Sequence, residues 1–248
     1  MSGIMNLKIP SSKVSNVHLW KYCLLNPARE ISLSWLSLEE KETISRMSRY
    51  EDRRQYIQVH TFLKKVLELY THLPPDEIQF TEGVNGKPFL KCHHAHPPLY
   101  FSLSYRHDYA LLAISNESCV GVDVEEVKPM EDFFHFMVDH FSKEERKWIL
   151  NEKTERRQLS MLYTFWTMKE ALVKSLAVGL SDSLKKYEVL SFLKKPLGIT
   201  TFNSPENSWC IDRVPIAKNY KAAVALKAEK VNRRIFDYNI EEESVVHP

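Results

Sequence analysis

The sequence predicts an α+β fold in which two similar halves each run from helices into antiparallel strands. Short apolar runs bounded by turn residues predict two groups of strands, at 78–125 and after residue 187. Two capping boxes, Ser37–Glu40 and Ser142–Glu145, predict helix starts ahead of these groups. With 248 residues, 44% of them hydrophobic, the chain is long enough for one large domain or two small ones.

The first half begins with a short strand at Val17–Trp20 and a loop that contains Asn26-Pro27. A helix opens at the first capping box, and a longer one covers about 50–73 before Pro74-Pro75 ends it. A strand at 78–81 and a turn at Asn85-Gly86 come next. Two further strands, at 99–104 and 109–115, and a third at 120–125 predict an antiparallel meander of three neighbouring strands.

The second half begins with helices at about 131–140 and from the second capping box onward. The strongest helical pattern covers about 158–178 and ends at Gly179-Leu180, as expected for a glycine C-cap. We predict strands at 187–193, 198–202, 208–214 and 220–227. We expect three segments: 1–120 as the N-terminal half, 121–228 as the C-terminal half, and 229–248 as a loosely attached polar tail.

Composition excludes several classes of protein. The 34 Lys and Arg residues nearly balance the 32 Asp and Glu residues, which argues against nucleic acid or an anionic membrane as partner. No apolar run has membrane-spanning length, and the segment 1–13 lacks the apolar core of a signal peptide. The four cysteines are widely spaced and form no CxxC pair, as expected for reduced thiols. These features predict a soluble cytoplasmic protein.

The histidine-rich segment Cys92–Pro98 invites a metal-site interpretation, because it holds one cysteine and three histidines. Ligands so close along one loop do not easily supply tetrahedral geometry, and no second ligand pair follows at a recognisable spacing. We predict a surface loop there.

A charged position in the strongest helix is harder to explain. Glu170 falls inside an apolar stripe that contains Trp166 and Val173, and Lys174 lies one turn further on. An exposed i,i+4 ion pair would be the plain interpretation, but a carboxylate beside a buried stripe requires a partner. In the strand Val120–Glu125, alternation places Asp123 and Glu125 on one face, which in isolation is a solvated acidic face.

Taken together, the motifs resemble the 4′-phosphopantetheinyl transferase superfamily in its longer, Sfp-type branch. Four stretches carry the resemblance, in the family's order: Gly86-Lys87-Pro88 for G-K-P, Phe101-Ser102-Leu103-Ser104 for F-N-[LI]-S, Gly121-Val122-Asp123-Val124-Glu125 for G-[IV]-D-[IV]-E, and Trp166-Thr167-Met168-Lys169-Glu170-Ala171-Leu172-Val173-Lys174 for W-x-x-K-E-A-x-x-K. The resemblance covers roughly 52–227. It implies two α+β halves related by a pseudo-twofold axis, with the active site between them, and a monomer.

The resemblance implies a reaction as well. Members of the family transfer the phosphopantetheine arm of coenzyme A to a serine of an apo acyl or peptidyl carrier protein, and release adenosine 3′,5′-bisphosphate. Asp123, Glu125 and Glu170 would hold Mg²⁺, which prefers oxygen ligands. Glu170, directly or through water, would be the base for the serine, and Lys174 would stabilise or protonate the departing phosphate.

Residues for coenzyme A also follow from the resemblance: Arg53 or Arg54 for the 3′-phosphate, with Lys87, Ser104, Tyr105, Asp123 and Lys169 near the nucleotide and its phosphates. Lys169 has two open roles, at the phosphates or in support of the fold. Two positions depart from the family: Gln55 stands where we align its basic residue, and Tyr105 stands where it has histidine. Tyrosine donates a hydrogen bond but carries no positive charge at neutral pH, so His107 or Arg106 would have to supply that charge. We expect weaker or altered binding of coenzyme A rather than loss of the chemistry.

Two alternatives follow from these departures and from the carboxylates. A homologue that binds coenzyme A or a carrier protein without catalysis would tolerate Tyr105 and Gln55. A metal-dependent phosphodiesterase or nuclease would use the same carboxylates. The near-neutral charge and the lack of a basic, aromatic-rich surface disfavour nucleic acid as its substrate.

Overall fold

Two four-stranded sheets, each covered by one 22-residue helix, form the framework of the protein. The computed structural model describes residues 15–25, 33–83, 86–91, 98–177, 184–193, 199–201, 208–228 and 231–238. The predicted features at Asn26-Pro27, Asn85, Cys92–Pro97 and Gly179-Leu180 lie outside these ranges.

The first half contains the following elements: β1 (Ser15–Cys23), α1 (Leu38–Arg46), α2 (Tyr50–Thr71), β2 (Phe80–Glu82), β3 (Pro88–Leu90), β4 (Tyr100–Arg106) and β5 (Tyr109–Ser115). The second half continues with β6 (Val120–Glu126), α3 (Phe133–His140), α4 (Lys143–Leu150), α5 (Glu155–Leu176), α6 (Leu190–Leu193), β7 (Ile199–Thr201), β8 (Ser208–Arg213), β9 (Tyr220–Lys227) and β10 (Val231–Asp237). Both predicted capping boxes are present, with each serine and glutamate bonded to the other's backbone N–H.

The first sheet has the strand order β10-β1-β5-β4, and the second has the order β6-β9-β8-β7. Every neighbouring pair is antiparallel except β1 and β10, which are parallel. The mixed helices and antiparallel strands confirm the predicted α+β class.

Three apolar clusters make the core. One lies between α2 and the first sheet and includes Phe62, Trp20 and Leu112. Another lies between α5 and the second sheet. The third joins the inner faces of the two sheets, where Val120, Val122 and Val124 of β6 share a cluster with residues of β1 and β5. In β1, β5 and β9, one face thus packs against a helix and the other against the opposite sheet, because side chains alternate along a strand.

The predicted meander is wrong in its third strand, because β6 belongs to the second sheet. Side chains rather than a backbone ladder join it to β4. The Ser102 hydroxyl accepts the Val122 N–H at 3.1 Å, and the Ser104 hydroxyl accepts the Val124 N–H at 3.3 Å. Ser104 of β4 and Asp123 of β6 nevertheless lie side by side, because the Ser104 hydroxyl donates to Asp123 Oδ1 at 3.0 Å.

Two further expectations require correction. The stretch 187–193 is not a strand: a 3₁₀ turn at Leu184–Lys186 and α6 occupy this region. The expected tail at 229–248 contains β10, which pairs with β1 from Ser15–Val231 to Lys21–Asp237. Residues 231–237 are therefore an integral strand of the first sheet, and residues 239–248 lie outside the described chain. None of the helices in the described ranges combines the length and hydropathy that a bilayer crossing requires.

Candidate active site

The candidate site lies where β6 runs under the last turns of α5. A Cβ atom added to Gly121 would lie 2.0 Å from the Ala171 carbonyl oxygen and 2.5 Å from the Ser175 nitrogen. Only glycine permits this approach of strand and helix backbones. Gly121 therefore brings α5 onto the strand, rather than holding open a surface for a ligand. The close approach sets Asp123 beside the side chains of Glu170 and Lys174.

Asp123 is buried, at 4% exposure, and its two carboxylate oxygens have different environments. Its Oδ1 accepts from Lys174 Nζ at 2.6 Å and from the Ser104 hydroxyl at 3.0 Å. The Ser104 oxygen also accepts from the Val124 N–H, so this serine holds both β6 and its carboxylate in place. The other oxygen, Oδ2, is buried and has no hydrogen-bond partner.

Glu170 is the second buried carboxylate, at 5% exposure, and its Oε1 is likewise buried without a hydrogen-bond partner. Burial raises the pKa of Glu170 to about 7, with a further increase from Asp123 that Lys174 opposes. A carboxyl group with this pKa exchanges a proton readily near neutral pH. Glu170 is therefore a buried carboxyl group with two charged neighbours, Asp123 and Lys174, as its position inside an apolar stripe led us to expect.

Glu125 is half-buried at the outer side of the same strand. Its Oε2 lies 3.3 Å from Arg106 Nε. Burial and the nearby Asp123 raise the pKa of Glu125, while Arg106 and Lys174 lower it. In this arrangement Lys174 and Arg106 are the cations that offset the charges of Asp123 and Glu125.

The donor set fits a hard cation chemically. Asp123 Oδ2 and Glu170 Oε1 are two carboxylate oxygens that are buried and lack hydrogen bonds, and oxygen ligands are those that Mg²⁺ prefers. In the described ranges, no group of three or more His, Cys, Asp or Glu side chains is disposed to hold a metal, so Asp123, Glu125 and Glu170 are not assembled as a three-ligand site here. Mg²⁺ can also bind through one or two carboxylates together with water and substrate phosphates.

A cleft of about 680 Å³ opens at the N-terminal end of α2, beside the β4–β5 turn. Its basic side chains are Arg49, Arg54, Arg106 and His107. Tyr105 lines the same cleft, and burial together with Asp52 raises its pKa, so it stays a neutral donor. Of the two arginines predicted to contact a phosphate, Arg54 lines the cleft.

Arg53 and Gln55 have other environments. Arg53 is half-buried on the same helical turn, and it is not among the residues that line the cleft; its Nε atom is buried without a hydrogen-bond partner. The Gln55 amide lines the cleft and donates to the His107 carbonyl oxygen at 2.8 Å. That bond fastens α2 to the β4–β5 turn, where His107 has a positive φ of 45°.

Lys169, for which the sequence left two roles open, has the contacts of a structural residue. Its ammonium group is fully buried and contacts the Glu145 carboxylate at 2.8 Å. It also donates to the carbonyl oxygens of Leu184 at 2.9 Å and Tyr187 at 2.7 Å. These three partners use the three donors of an ammonium group, so Lys169 supports the fold and is not available to a phosphate.

Lys87, which the resemblance places near the nucleotide, joins two backbone segments in this structure. Its Nζ donates to the carbonyl oxygens of Val120 at 2.9 Å and Lys174 at 2.6 Å. It is absent from the residues that line the cleft. Sequence reasoning did not anticipate this bridge between β6 and α5.

The sequence reasoning missed the contribution of Ser102, and it considered Arg106 only as a substitute for the charge that Tyr105 lacks. Both lie at even spacing from Ser104 on β4, and strand alternation therefore directs all three side chains to the side that faces β6. This alternation was readable in the sequence Phe101–Arg106. The sequence did not reveal that these side chains would contact β6.

Comparisons with known proteins agree with the motif order. A family model described as "4′-phosphopantetheinyl transferase superfamily" matches residues 119–225, and one described as "4′-phosphopantetheinyl transferase, N-terminal" matches residues 26–117. The chain is 28% identical over 204 residues to the human L-aminoadipate-semialdehyde dehydrogenase-phosphopantetheinyl transferase. That match covers 76% of this chain and 66% of the human protein, so the chain spans slightly less than two thirds of its length.

Bacterial relatives match over similar regions. The chain is 27% identical to the 4′-phosphopantetheinyl transferase HetI of Nostoc sp., with 85% of this chain and 87% of that protein covered. It is also 27% identical to the transferase psf-1 of Bacillus pumilus, covering 62% and 63%. A solved structure, the holo-[acyl-carrier-protein] synthase of Thermotoga maritima, overlaps with a TM-score of 0.30 and 18% identity, covering 45% of this chain and 63% of that one. The sequence matches, rather than this partial overlap, indicate the family.

Proposed function

Because the chain belongs to the 4′-phosphopantetheinyl transferase superfamily, we propose that it transfers the 4′-phosphopantetheine arm of coenzyme A to a serine of an apo acyl or peptidyl carrier protein. The other product is adenosine 3′,5′-bisphosphate. The observation that carries the proposal is the group formed by Asp123, Glu170 and Lys174, in which two buried carboxylates lie beside one ammonium group.

The three side chains divide the work of a phosphoryl transfer. The carrier serine oxygen forms a bond to the phosphorus of the phosphopantetheine, and the bond from that phosphorus to the bridging pyrophosphate oxygen breaks. Glu170 accepts the serine proton, directly or through water, a role that suits a pKa of about 7. Lys174 neutralises the charge that develops on the departing phosphate.

Asp123, Glu125 and Glu170 would hold a magnesium ion, which when bound neutralises charge on the pyrophosphate. The unpaired oxygens of Asp123 and Glu170 support this assignment. Ser104 acts through Asp123, since its hydroxyl donates to that carboxylate. A magnesium titration followed by the thermal unfolding temperature tests the site independently of turnover: stabilisation is expected for the wild type and is expected to weaken in Asp123→Asn.

The basic cleft would receive the nucleotide of coenzyme A. Arg54 and Arg106 supply positive charge there, and Tyr105 supplies a hydroxyl donor. Arg106 lines the cleft and also contacts Glu125, one of the three carboxylates proposed to hold magnesium. It is therefore suited to supply the charge that a histidine at position 105 would carry. Gln55 has its amide committed to His107 and contributes no charge.

We expect the protein to act as a cytoplasmic monomer, with carrier protein and coenzyme A as its partners. Three cysteines in the described ranges, Cys23, Cys119 and Cys210, are free thiols, as expected in a reducing compartment. Size-exclusion chromatography with light scattering tests the oligomeric state.

The central experiment incubates the protein with coenzyme A, magnesium and a panel of apo carrier proteins from fatty-acid, polyketide and peptide synthesis. Mass spectrometry then measures the gain of one phosphopantetheine per carrier. Glu170→Gln should abolish the transfer without unfolding the protein, because the amide has the shape of the neutral acid that burial favours. Glu144→Gln, an exposed position on α4, is the matched control and should keep full activity.

Two outcomes separate the alternatives. Retained turnover in Glu170→Gln would contradict its role as base and metal ligand. Tight binding of coenzyme A by the wild type, with no transfer to any carrier in the panel, would instead support a binding protein without catalysis. Tyr105→His then measures the contribution of position 105: an unchanged KM for coenzyme A would contradict the idea that Tyr105 weakens nucleotide binding.

A further inference from the structure

The turn before β3 directs one lysine toward the junction of the two halves. The Gly83 N–H donates to the Lys87 carbonyl oxygen at 2.8 Å, and the Gly86 N–H donates to the Gly83 oxygen at 3.2 Å. Gly86 has a φ of +75°, which favours glycine, and Pro88 restricts Lys87 to an extended backbone. The direction in which the Lys87 side chain leaves the turn is therefore determined by three neighbouring residues.

The ammonium group of Lys87 connects two elements that belong to the candidate active site. It donates to the carbonyl oxygen of Val120, the first residue of β6, at 2.9 Å. It donates as well to the carbonyl oxygen of Lys174, in the last turn of α5, at 2.6 Å. The last four carbonyl groups of a helix have no intrahelical donor, and a cation there also complements the helix dipole.

Lys174 is thereby held at both of its ends. Its backbone oxygen accepts from Lys87, and its side chain donates to Asp123 at 2.6 Å. Asp123 lies three residues after Val120 on the same strand. The bridge through Lys87 therefore spans the same strand and helix as the ion pair: on α5 both use Lys174, and on β6 the bridge contacts Val120 whereas the ion pair contacts Asp123.

We propose that Lys87 is a positioning residue that fixes Lys174 relative to Asp123 by joining the last turn of α5 to the start of β6. The inference rests on the proposed function, in which Lys174 acts on the departing phosphate. It differs from a nucleotide contact, because two of the three ammonium donors of Lys87 are used by backbone carbonyl groups.

The two roles differ in their kinetic consequences. A residue that positions Lys174 changes kcat, because it affects a group that acts in the transition state. A residue that binds the nucleotide in both ground and transition states changes KM for coenzyme A and leaves kcat unchanged.

The experiment compares Lys87→Met, which keeps the apolar stem and removes the donors, with Lys87→Arg and with Lys91→Met. Lys91 lies just after β3 and is exposed, so it serves as the control. We expect Lys87→Met to lower kcat by about 10- to 100-fold, the scale of a small misplacement of a catalytic group, while KM for coenzyme A stays unchanged. Lys87→Arg should restore part of kcat, because a guanidinium group also presents several donors.

Hydrogen exchange supplies a readout without turnover. The amides of the last α5 turn, 172–176, should exchange faster in Lys87→Met and at the wild-type rate in Lys91→Met. An increase in KM with unchanged kcat would overturn the inference in favour of a nucleotide contact, and unchanged kinetics would overturn it too. If the wild type transfers nothing, the proposed function fails, and the exchange rates alone then decide: faster exchange supports the bridge and unchanged exchange refutes it.

Discussion

Strands β1 and β6 begin the two halves, and in both strands aliphatic residues alternate with residues that face a helix. The two strands differ in the side chains that they present to that helix. Val17-His18-Leu19-Trp20 and Val122-Asp123-Val124-Glu125 lie 105 positions apart, and the aliphatic residues of both enter the cluster between the sheets. On the other face, His18 and Trp20 each bond the Tyr70 hydroxyl of α2 at 2.8 Å. In β6 the corresponding face carries Asp123, which binds Lys174 of α5.

Corresponding residues of α2 and α5 also lie 105 positions apart. Lys64 of α2 and Lys169 of α5 are both fully buried, and each binds the glutamate of its capping box, Glu40 at 2.9 Å and Glu145 at 2.8 Å. Both helices end at a left-handed residue, His72 or Ala177, again 105 positions apart. Features present in both halves hold the fold, whereas the acidic group exists in the second half alone within the described ranges.

The largest expected effect tests the shared Glu–Lys pair. Lys169→Met leaves the Glu145 carboxylate buried without its cation and should lower the free energy of unfolding by about 3–5 kcal/mol in urea titrations. Lys64→Met should cost clearly less, because His60 Nδ1 also contacts Glu40 at 2.8 Å. Burial would raise the pKa of Glu40, but hydrogen bonds from His60 and Lys64 outweigh it and lower the pKa to about 2. Equal losses in the two variants would contradict the role given to His60.

His18 occupies in β1 the position that Asp123 occupies in β6, and it should make the free energy of unfolding depend on pH. Burial, with a contribution from Arg234, lowers the pKa of His18 from 6.5 to about 4. Between these values the unfolded chain binds the proton and the folded protein does not, so stability falls as pH decreases from about 6.5 to 4. The loss approaches about 3 kcal/mol near pH 4.

The measurement is the free energy of unfolding as a function of pH for the wild type and His18→Phe. Other groups contribute equally to both proteins, so the difference between the two curves isolates His18. A difference that does not change between pH 6.5 and 4 would show that folding does not lower the pKa of His18.

A smaller effect is expected at the position where β6 has a glycine against the α5 backbone and β1 has an asparagine. Gly121→Ala places a methyl group against the α5 backbone and should cost about 1–3 kcal/mol, with slower transfer because Asp123 moves relative to Lys174. The corresponding residue of β1 is Asn16, which accepts from the Asn232 amide at 3.2 Å. Asn16→Ala should cost about 1 kcal/mol, and transfer should be unaffected. Urea titration and the carrier assay measure both variants.

The smallest effect concerns the counterpart of Glu170. Lys65 occupies that position in α2, where it pairs with Glu68 at 2.8 Å and lies 4.8 Å from the Trp35 ring centroid. Lys65→Met should lower stability by less than about 1 kcal/mol and should leave transfer unchanged. Loss of transfer in this variant would mean that position 65 of α2 takes part in the chemistry, as Glu170 of α5 is proposed to do.

Local patterns explain which parts of the fold could be predicted. The periodic apolar residues of α2 and α5 and the alternation in β4 and β5 are properties of short stretches, so their elements were correctly identified. The sheet to which β6 belongs depends on its pairing with β9, a distant partner that periodicity does not reveal. The stretch 187–193 has strand-like residues, yet Glu145 bonds the Val189 N–H and Lys169 bonds the Tyr187 carbonyl, so side chains replace a ladder.

The candidate site divides in the same way. Glu170 was identifiable because a charge in an apolar stripe conflicts with the pattern around it. The role of Lys169 could not be decided from the sequence, because its partner Glu145 lies on α4. The bridge made by Lys87 could not be predicted either, because both of its acceptors are backbone oxygens, which every residue has. The repeat of 105 residues escaped notice because identical pairs such as Lys64 and Lys169 are scattered among corresponding positions of different type, such as Asn16 and Gly121 or Lys65 and Glu170.

The parallel pairing of β1 with β10 has a consequence for the order of folding. Asn16 and Asn232, which bond across these strands, are 216 residues apart, whereas the strands of the second sheet lie between 120 and 227. During synthesis β1 therefore keeps an open edge until residue 237 has emerged, after every strand of the second sheet is available. The half that is made first is completed last, so a nascent chain that stops before β10 exposes an unpaired strand to other chains.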